Sequence, residues 1–244
     1  MVRHVTRATI DDADHYTDEQ RAAIIASYPE HEREARAKGI PTMGSGRVFP
    51  VAEEVIKISP LPLADHWVRI GGMDFGWDHP FSAVEMVWDK DSDIIYVVNT
   101  YRVKNETPVI HSAALRPWGE MPWAWPADGL QHDKRSGTPL KEAYVDQGLN
   151  MLHKHATFED GSNGVEAGIF RLLDRMKTGR FKVFAHLEDW WDEFRTYHRK
   201  DGKIVKEHDD LLDATRYAYM MKRHAEPVAD QTWREPEIYS DMPR

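Results

Sequence analysis

From Trp67 onward, apolar residues gather into short runs split by turn residues, and longer stretches carry them at helical spacing. Residues 68–74, 82–88 and 94–103 read as strands. Asp91-Ser92-Asp93 is a tight turn between the last two, so antiparallel hairpins are expected. Residues 107–116 read as a helix that Pro117 ends. A short strand follows over 121–125, stopped by Pro126. Leu140 and Tyr144 lie one helical turn apart in a helix over 138–147, with Gly148 past its end. Residues 152–158 read as a further strand. Over 163–178, Ile169, Leu172, Leu173 and Met176 make the apolar face of a helix that stops at Gly179. Residues 181–186 alternate as a strand, and 187–198 form a short helix rich in Trp. Asp201-Gly202 signals a hairpin turn between charged flanks, and 209–223 form the last helix.

Residues 1–66 differ in character. They hold a helix-like stretch near 17–27, a charged run at 31–38 and a Gly/Pro-rich run at 38–50. Thr17-Asp18-Glu19-Gln20 has the form of a capping box. The segment is too polar to make its own core, so it reads as an N-terminal helical and irregular arm or linker. Residues 67–224 make the main domain. The Pro-rich polar stretch 225–244 reads as a flexible tail. Three hairpin-connected strands, then helix–strand alternation, then a closing helix is the order of the RNase H-like fold. That fold is an α/β architecture with a mixed central sheet flanked by helices.

Composition narrows the function classes. The 244 residues are 41% hydrophobic and 11% aromatic, enough for one sizeable core. No 18-residue apolar run predicts a membrane span, and Met1-Val2-Arg3-His4-Val5-Thr6-Arg7 lacks the apolar core of a signal peptide. The absence of cysteine excludes disulfides, thiolate zinc sites and Cys nucleophiles. A net charge of −9 argues against coating nucleic acid over the whole surface, though a local basic stripe suffices for a DNA track.

Three acidic clusters stand far apart in the chain. Asp74 ends the first strand. Asp128 follows the fourth, in Trp125-Pro126-Ala127-Asp128-Gly129. Asp209, Asp210 and Asp213 open the last helix. Singly, these are turn, cap or helix-dipole residues. The fold order brings them to one sheet edge, where sites form in open α/β sheets. Carboxylates alone suit a hard cation that prefers oxygen.

Asp74-Phe75-Gly76-Trp77-Asp78-His79-Pro80, Trp125-Pro126-Ala127-Asp128-Gly129 and His208-Asp209-Asp210-Leu211-Leu212-Asp213-Ala214-Thr215-Arg216-Tyr217 resemble the nuclease domain of large terminase subunits. These are the DNA-packaging motors of tailed bacteriophages, and the likeness is to the headful-packaging podovirus type. The run from Gly39 to Pro50 resembles that family's connector between ATPase and nuclease domains. The ATPase phosphate-binding loop, Gly-x-x-x-x-Gly-Lys-Ser/Thr, is not found in these residues.

The resemblance implies a metal-dependent endonuclease that cuts concatemeric double-stranded DNA in the host cell cytoplasm. It implies two Mg2+ or Mn2+ ions, with Asp74 bridging, Asp128 on one ion and Asp210 on the other. Asp213 is a further ligand, direct or through water. Asp209 is either a ligand or only the helix cap, and Asp78 is read as a turn residue. Lys134 and Arg135 are expected at DNA phosphates. Arg199, Lys200, Lys203 and Lys206 form a basic hairpin that either tracks the duplex or is a solvated turn. The expected partners are the ATPase domain, the small terminase subunit and the portal protein. Competing readings are another RNase H-like nuclease, such as a junction resolvase or transposase core, and a non-catalytic DNA-clamping or motor-docking module. The tryptophans, including Trp118, Trp123, Trp125, Trp190 and Trp191, are assigned to the core, because duplex DNA hides its base faces.

Overall fold

The computed structural model describes residues 9–13, 15–28, 33, 37–38, 46–76, 79–131 and 139–227. Helix α1 (Asp18–Ser27) starts in the expected capping box. Thr17 Oγ1 accepts from the Gln20 N–H at 3.3 Å, and Gln20 Oε1 accepts from the Thr17 N–H at 3.0 Å.

One twisted mixed sheet carries the fold. Its strands are β1 (Lys57–Ile58), β2 (Val68–Asp74), β3 (Phe81–Asp89), β4 (Ile94–Val103), β5 (Pro122–Ala124), β6 (Asn150–Met151) and β7 (Phe181–Phe184). Their order across the sheet is β1-β7-β4-β3-β2-β5-β6. The pairs β2/β3 and β3/β4 are antiparallel, as the turn between them predicts, and the remaining pairs along this path are parallel. A separate hairpin, β8 (Arg199–Lys200) and β9 (Lys203–Ile204), turns at Asp201-Gly202, where both residues take positive φ. At the chain's far end, β10 (Glu226–Pro227) pairs antiparallel with the start of β2.

The strand expected over 152–158 does not form. Leu152 and Ala156 still donate to the carbonyls of Trp123 and Trp125, but the chain between them bulges out with His153 and Lys154 exposed. A partly buried Leu152 and a buried Ala156, with His153 and Lys154 exposed between them, do not sustain a period of two.

Alternation along the central strands sends side chains to two cores. Ile70, Val84 and Met86 face the larger one, which packs under α5 (Val165–Lys177), α6 (Glu188–Thr196) and α7 (Asp210–Met220). Met73, Phe81 and Ala83 face the smaller one, closed by α3 (Pro108–Leu115) and α4 (Leu140–Val145). Trp123, Trp125, Trp190 and Trp191 are fully buried, as assigned.

Part of the N-terminal arm belongs to the larger core. Val48, Phe49, Val51 and Ile56 are buried in it, and β1 lies parallel to β7. A buried bidentate ion pair fixes the junction. Glu53, on the one-turn helix α2 (Glu53–Ile56), accepts from Arg195 of α6 at 2.7 and 2.9 Å.

Candidate metal centre

Asp74 is the last residue of β2, an interior strand of the sheet between β3 and β5. Helix α7 crosses directly over this strand. A Cβ on Gly72 would collide with the Ala214 carbonyl, so only glycine admits the helix at that depth. That contact aims the first turn of α7, with Asp210 and Asp213, toward the end of β2. The strand β5 runs parallel beside β2, in register at Gly71–Trp123 and Gly72–Ala124. Asp128 follows β5 on an exposed 3-10 turn, Ala127–Leu130. A Cβ on Gly129 would lie 2.7 Å from the Phe75 ring, so this turn sits against the residue that follows Asp74.

The electrostatics record the convergence. Burial pushes the Asp74 carboxyl well above the usual range, and Asp213, Asp210 and Asp209 push it the same way, with Arg216 opposing. Burial also raises Asp209, helped by Asp213 and opposed by Lys206. Tyr217, one turn beyond Asp213, is raised by burial and then by the charges of Asp74 and Asp213. Four carboxylates on two elements therefore feel one another. Asp128 is brought to the same sheet edge, and among the described residues no hydrogen bond or ion pair joins it to the four.

Cationic side chains hold this cluster. Lys206 Nζ lies 2.8 Å from Asp213 Oδ2 and 3.3 Å from Asp209 Oδ2. Arg216 pairs with Asp213 Oδ1 at 3.1 Å, and Arg102 pairs with Asp210 Oδ2 at 3.2 Å. Among the described residues, no three carboxylates or imidazoles stand close enough to enclose an ion in this arrangement. The donor set nevertheless fits a hard divalent cation. It is all oxygen and it is crowded with negative charge.

The α7 N-terminus differs from the sequence expectation. Asp209 occupies the cap position but makes no side-chain capping hydrogen bond. Glu193 of α6 takes that role, its Oε2 accepting from the Leu211 N–H at 2.8 Å and the Leu212 N–H at 3.1 Å. Sequence reading missed Glu193, because a cap borrowed from another helix leaves no local signal. Arg102 and Arg216 were missed too, since neither lies in a charge run.

The basic residues are divided. Lys200 and Lys203 are exposed on the β8–β9 hairpin. Arg199 is engaged bidentately by Glu166 at 2.6 and 2.7 Å, which fastens the hairpin to α5. Lys206 turns toward the acidic cluster instead of outward. Lys134, Arg135 and Asp78 lie outside the described residues.

Comparison with known proteins gives a consistent answer. Residues 71–222 match the model of the terminase RNase H-like domain, and residues 1–56 match that of the large terminase subunit N-terminal region of T4-like virus type. The large terminase subunit of Salmonella phage P22 is 54% identical over 228 residues, which is 93% of this chain and 46% of that protein. The chain thus spans about half the length of the curated relatives it matches. The solved P22 large terminase nuclease domain is 49% identical, with a TM-score of 0.71 over 76% of this chain and 97% of that one. The nuclease domain of the phage SPP1 large terminase, solved with bound Mn, shares the fold at 17% identity and a TM-score of 0.51, covering 70% of this chain and 99% of that one. With the RNase H-like model matched across residues 71–222, the chain belongs to the large terminase subunit family and carries that family's RNase H-like domain.

Proposed function

We propose that this chain is a metal-dependent endonuclease that cuts concatemeric double-stranded DNA during viral genome packaging, in the host cytoplasm. The observation that carries the reading is the meeting of Asp74 on β2 with Asp209, Asp210 and Asp213 at the start of α7, in a domain 49% identical to the P22 nuclease domain. Asp74, Asp128 and Asp210 are the central ligands, with Asp209 and Asp213 completing the set. Mg2+ or Mn2+ at these oxygens would supply an activated water and stabilise charge on the attacking and leaving oxygens of the scissile phosphate.

The chain's own groups divide the remaining work. Asp74, at the end of β2, faces the acids at the start of α7. Arg216 and Arg102 limit repulsion between the acids before any cation arrives. Lys200 and Lys203 on the hairpin, with Lys134 and Arg135, are positioned in the sequence to meet DNA phosphates. Nothing in the described residues forms an exposed recognition helix, so sequence choice falls to a partner. That partner is the small terminase subunit, and the portal and an ATPase domain are the other docking partners.

Plasmid cleavage by the purified chain in EDTA, Mg2+ and Mn2+, beside Asp74→Asn, is the test. Cleavage that needs a divalent ion and disappears in the variant supports the reading. Equal cleavage by Asp74→Asn refutes it. Preference for branched over linear DNA would transfer the reading to a junction-resolving nuclease.

A further inference from the structure

We propose that Glu193, which lies outside the carboxylate set, is a positioning residue that keeps the α7 acids open to a cation. The inference rests on reading that set as a divalent-metal centre. Glu193 is 2% exposed. One of its oxygens binds the two free N–H groups at the start of α7, at 2.8 and 3.1 Å. A helix start leaves such donors without partners, and the residue at the cap position ordinarily serves them. Here that residue is Asp209. Were it to cap its own helix, its carboxylate would turn from the cluster to the backbone. Glu193 takes over the task and leaves Asp209 facing Asp213 and Lys206.

The other oxygen of Glu193 lies 3.3 Å from Arg102 Nε, and Arg102 Nη2 reaches Asp210 Oδ2 at 3.2 Å. The Arg102–Glu193 contact is an ion pair without a hydrogen bond, so one guanidinium sits between two carboxyl groups, bonded to Asp210 and only attracted by Glu193. With Glu193 holding one side, Arg102 aligns Asp210 through a single contact. Without that anchor, the guanidinium is free to close on Asp210 bidentately, the stronger geometry for this pair. Asp210 would then be masked from a cation. Glu193 has little slack for this work, because α6 is locked at both ends. Trp190 donates to Thr215 of α7 at 3.0 Å, and Arg195 is clamped by Glu53.

Isothermal titration of the full chain with Mn2+ tests the proposal, with metal-free melting measured beside it. Glu193→Gln keeps an acceptor for the two N–H groups but turns an amide NH2, which cannot accept, toward Arg102. Its Mn2+ affinity is expected to fall by about tenfold, the effect of a single charge-assisted contact. Adding Arg102→Met to that variant should recover most of the loss, which a purely structural role for Glu193 would not produce. If Glu193→Gln does not fold, Glu193→Asp keeps the carboxyl group, shortens the reach and is expected to weaken Mn2+ binding likewise. Affinity within twofold of the unsubstituted chain overturns the proposal, as does a double variant no better than Glu193→Gln. A chain in which Asp74→Asn abolishes Mn2+ binding while Glu193→Gln leaves it unchanged refutes the positioning role alone. A chain that binds no Mn2+ at all refutes the metal centre and the positioning role with it.

Discussion

Replacing Lys206 by methionine should lower the stability of the metal-free chain while tightening its hold on Mn2+. The Lys206 ammonium sits between Asp213 and Asp209, at 2.8 and 3.3 Å. Burial works against its charge, but the two carboxylates more than offset this and hold it above the ordinary lysine range. The side chain is half exposed, so water screens much of the attraction. Near the water limit, a charge pair at this distance is worth about 1–2 kcal/mol. Lys206→Met, which preserves the length of the stem, should therefore lower metal-free stability by about 1–2 kcal/mol, or roughly 2–8 °C in a chain of this size. The same ammonium competes with a divalent cation for the same oxygens. Its removal should tighten Mn2+ binding by about 5- to 30-fold, each 1.4 kcal/mol being tenfold. Calorimetric melting without metal and isothermal titration with Mn2+ read the two effects. An unchanged or weakened Mn2+ affinity would refute the reasoning, whatever happened to the melting temperature.

Asp74→Asn should abolish divalent-dependent cleavage yet raise the metal-free melting temperature by a few degrees, because it removes a buried carboxyl that its neighbours repel; a lower melting temperature would refute the account of the cluster. Breaking the Glu53–Arg195 clamp by Glu53→Gln should cost about 1.5–3 kcal/mol in urea unfolding, since it leaves the buried guanidinium with Asp192, at 3.0 Å, as its one carboxylate partner among the described residues. Less than about 1 kcal/mol would mean that the arm is not held by this pair. Burial depresses His111, which is stacked on Phe81 and bonded to Tyr144, to about 4. Its unfolded form takes up a proton near pH 6.5, so the unfolded state binds more protons between the two values. Stability from this group is complete above about pH 6.5 and falls as pH drops toward 4, by up to about 3 kcal/mol. Urea unfolding from pH 7 to pH 5 should show a smaller loss in His111→Phe than in the unsubstituted chain.

Much of the frame is readable from local rules. Strands β2, β3 and β4, the turn at Asp91-Ser92-Asp93, the capping box at Thr17 and the hairpin at Asp201-Gly202 all depend on neighbours a few residues away. What stays hidden is carried by distant pairs. The cap of α7 comes from Glu193, which a sequence reader takes for one more charge in a Trp-rich helix. The docking of residues 46–58 depends on β7 and on Arg195, far along the chain. Lys206 reads as part of a basic hairpin, and only the fold turns it inward. The 152–158 segment has the composition of a strand, but its two anchors belong to different places in the β5 ladder.

Ten of the eleven residues of α7 are buried, and the helix rests on Gly72 without an intervening side chain. Its backbone amides should then exchange with solvent deuterium only through global opening of the chain, the slowest route available. Asp210 and Asp213 inherit that immobility, whereas Asp128 rides on an exposed turn that opens locally. The two sides of the centre accordingly live on different timescales. One should open only when the fold does, and the other, on an exposed turn, at a lower free energy.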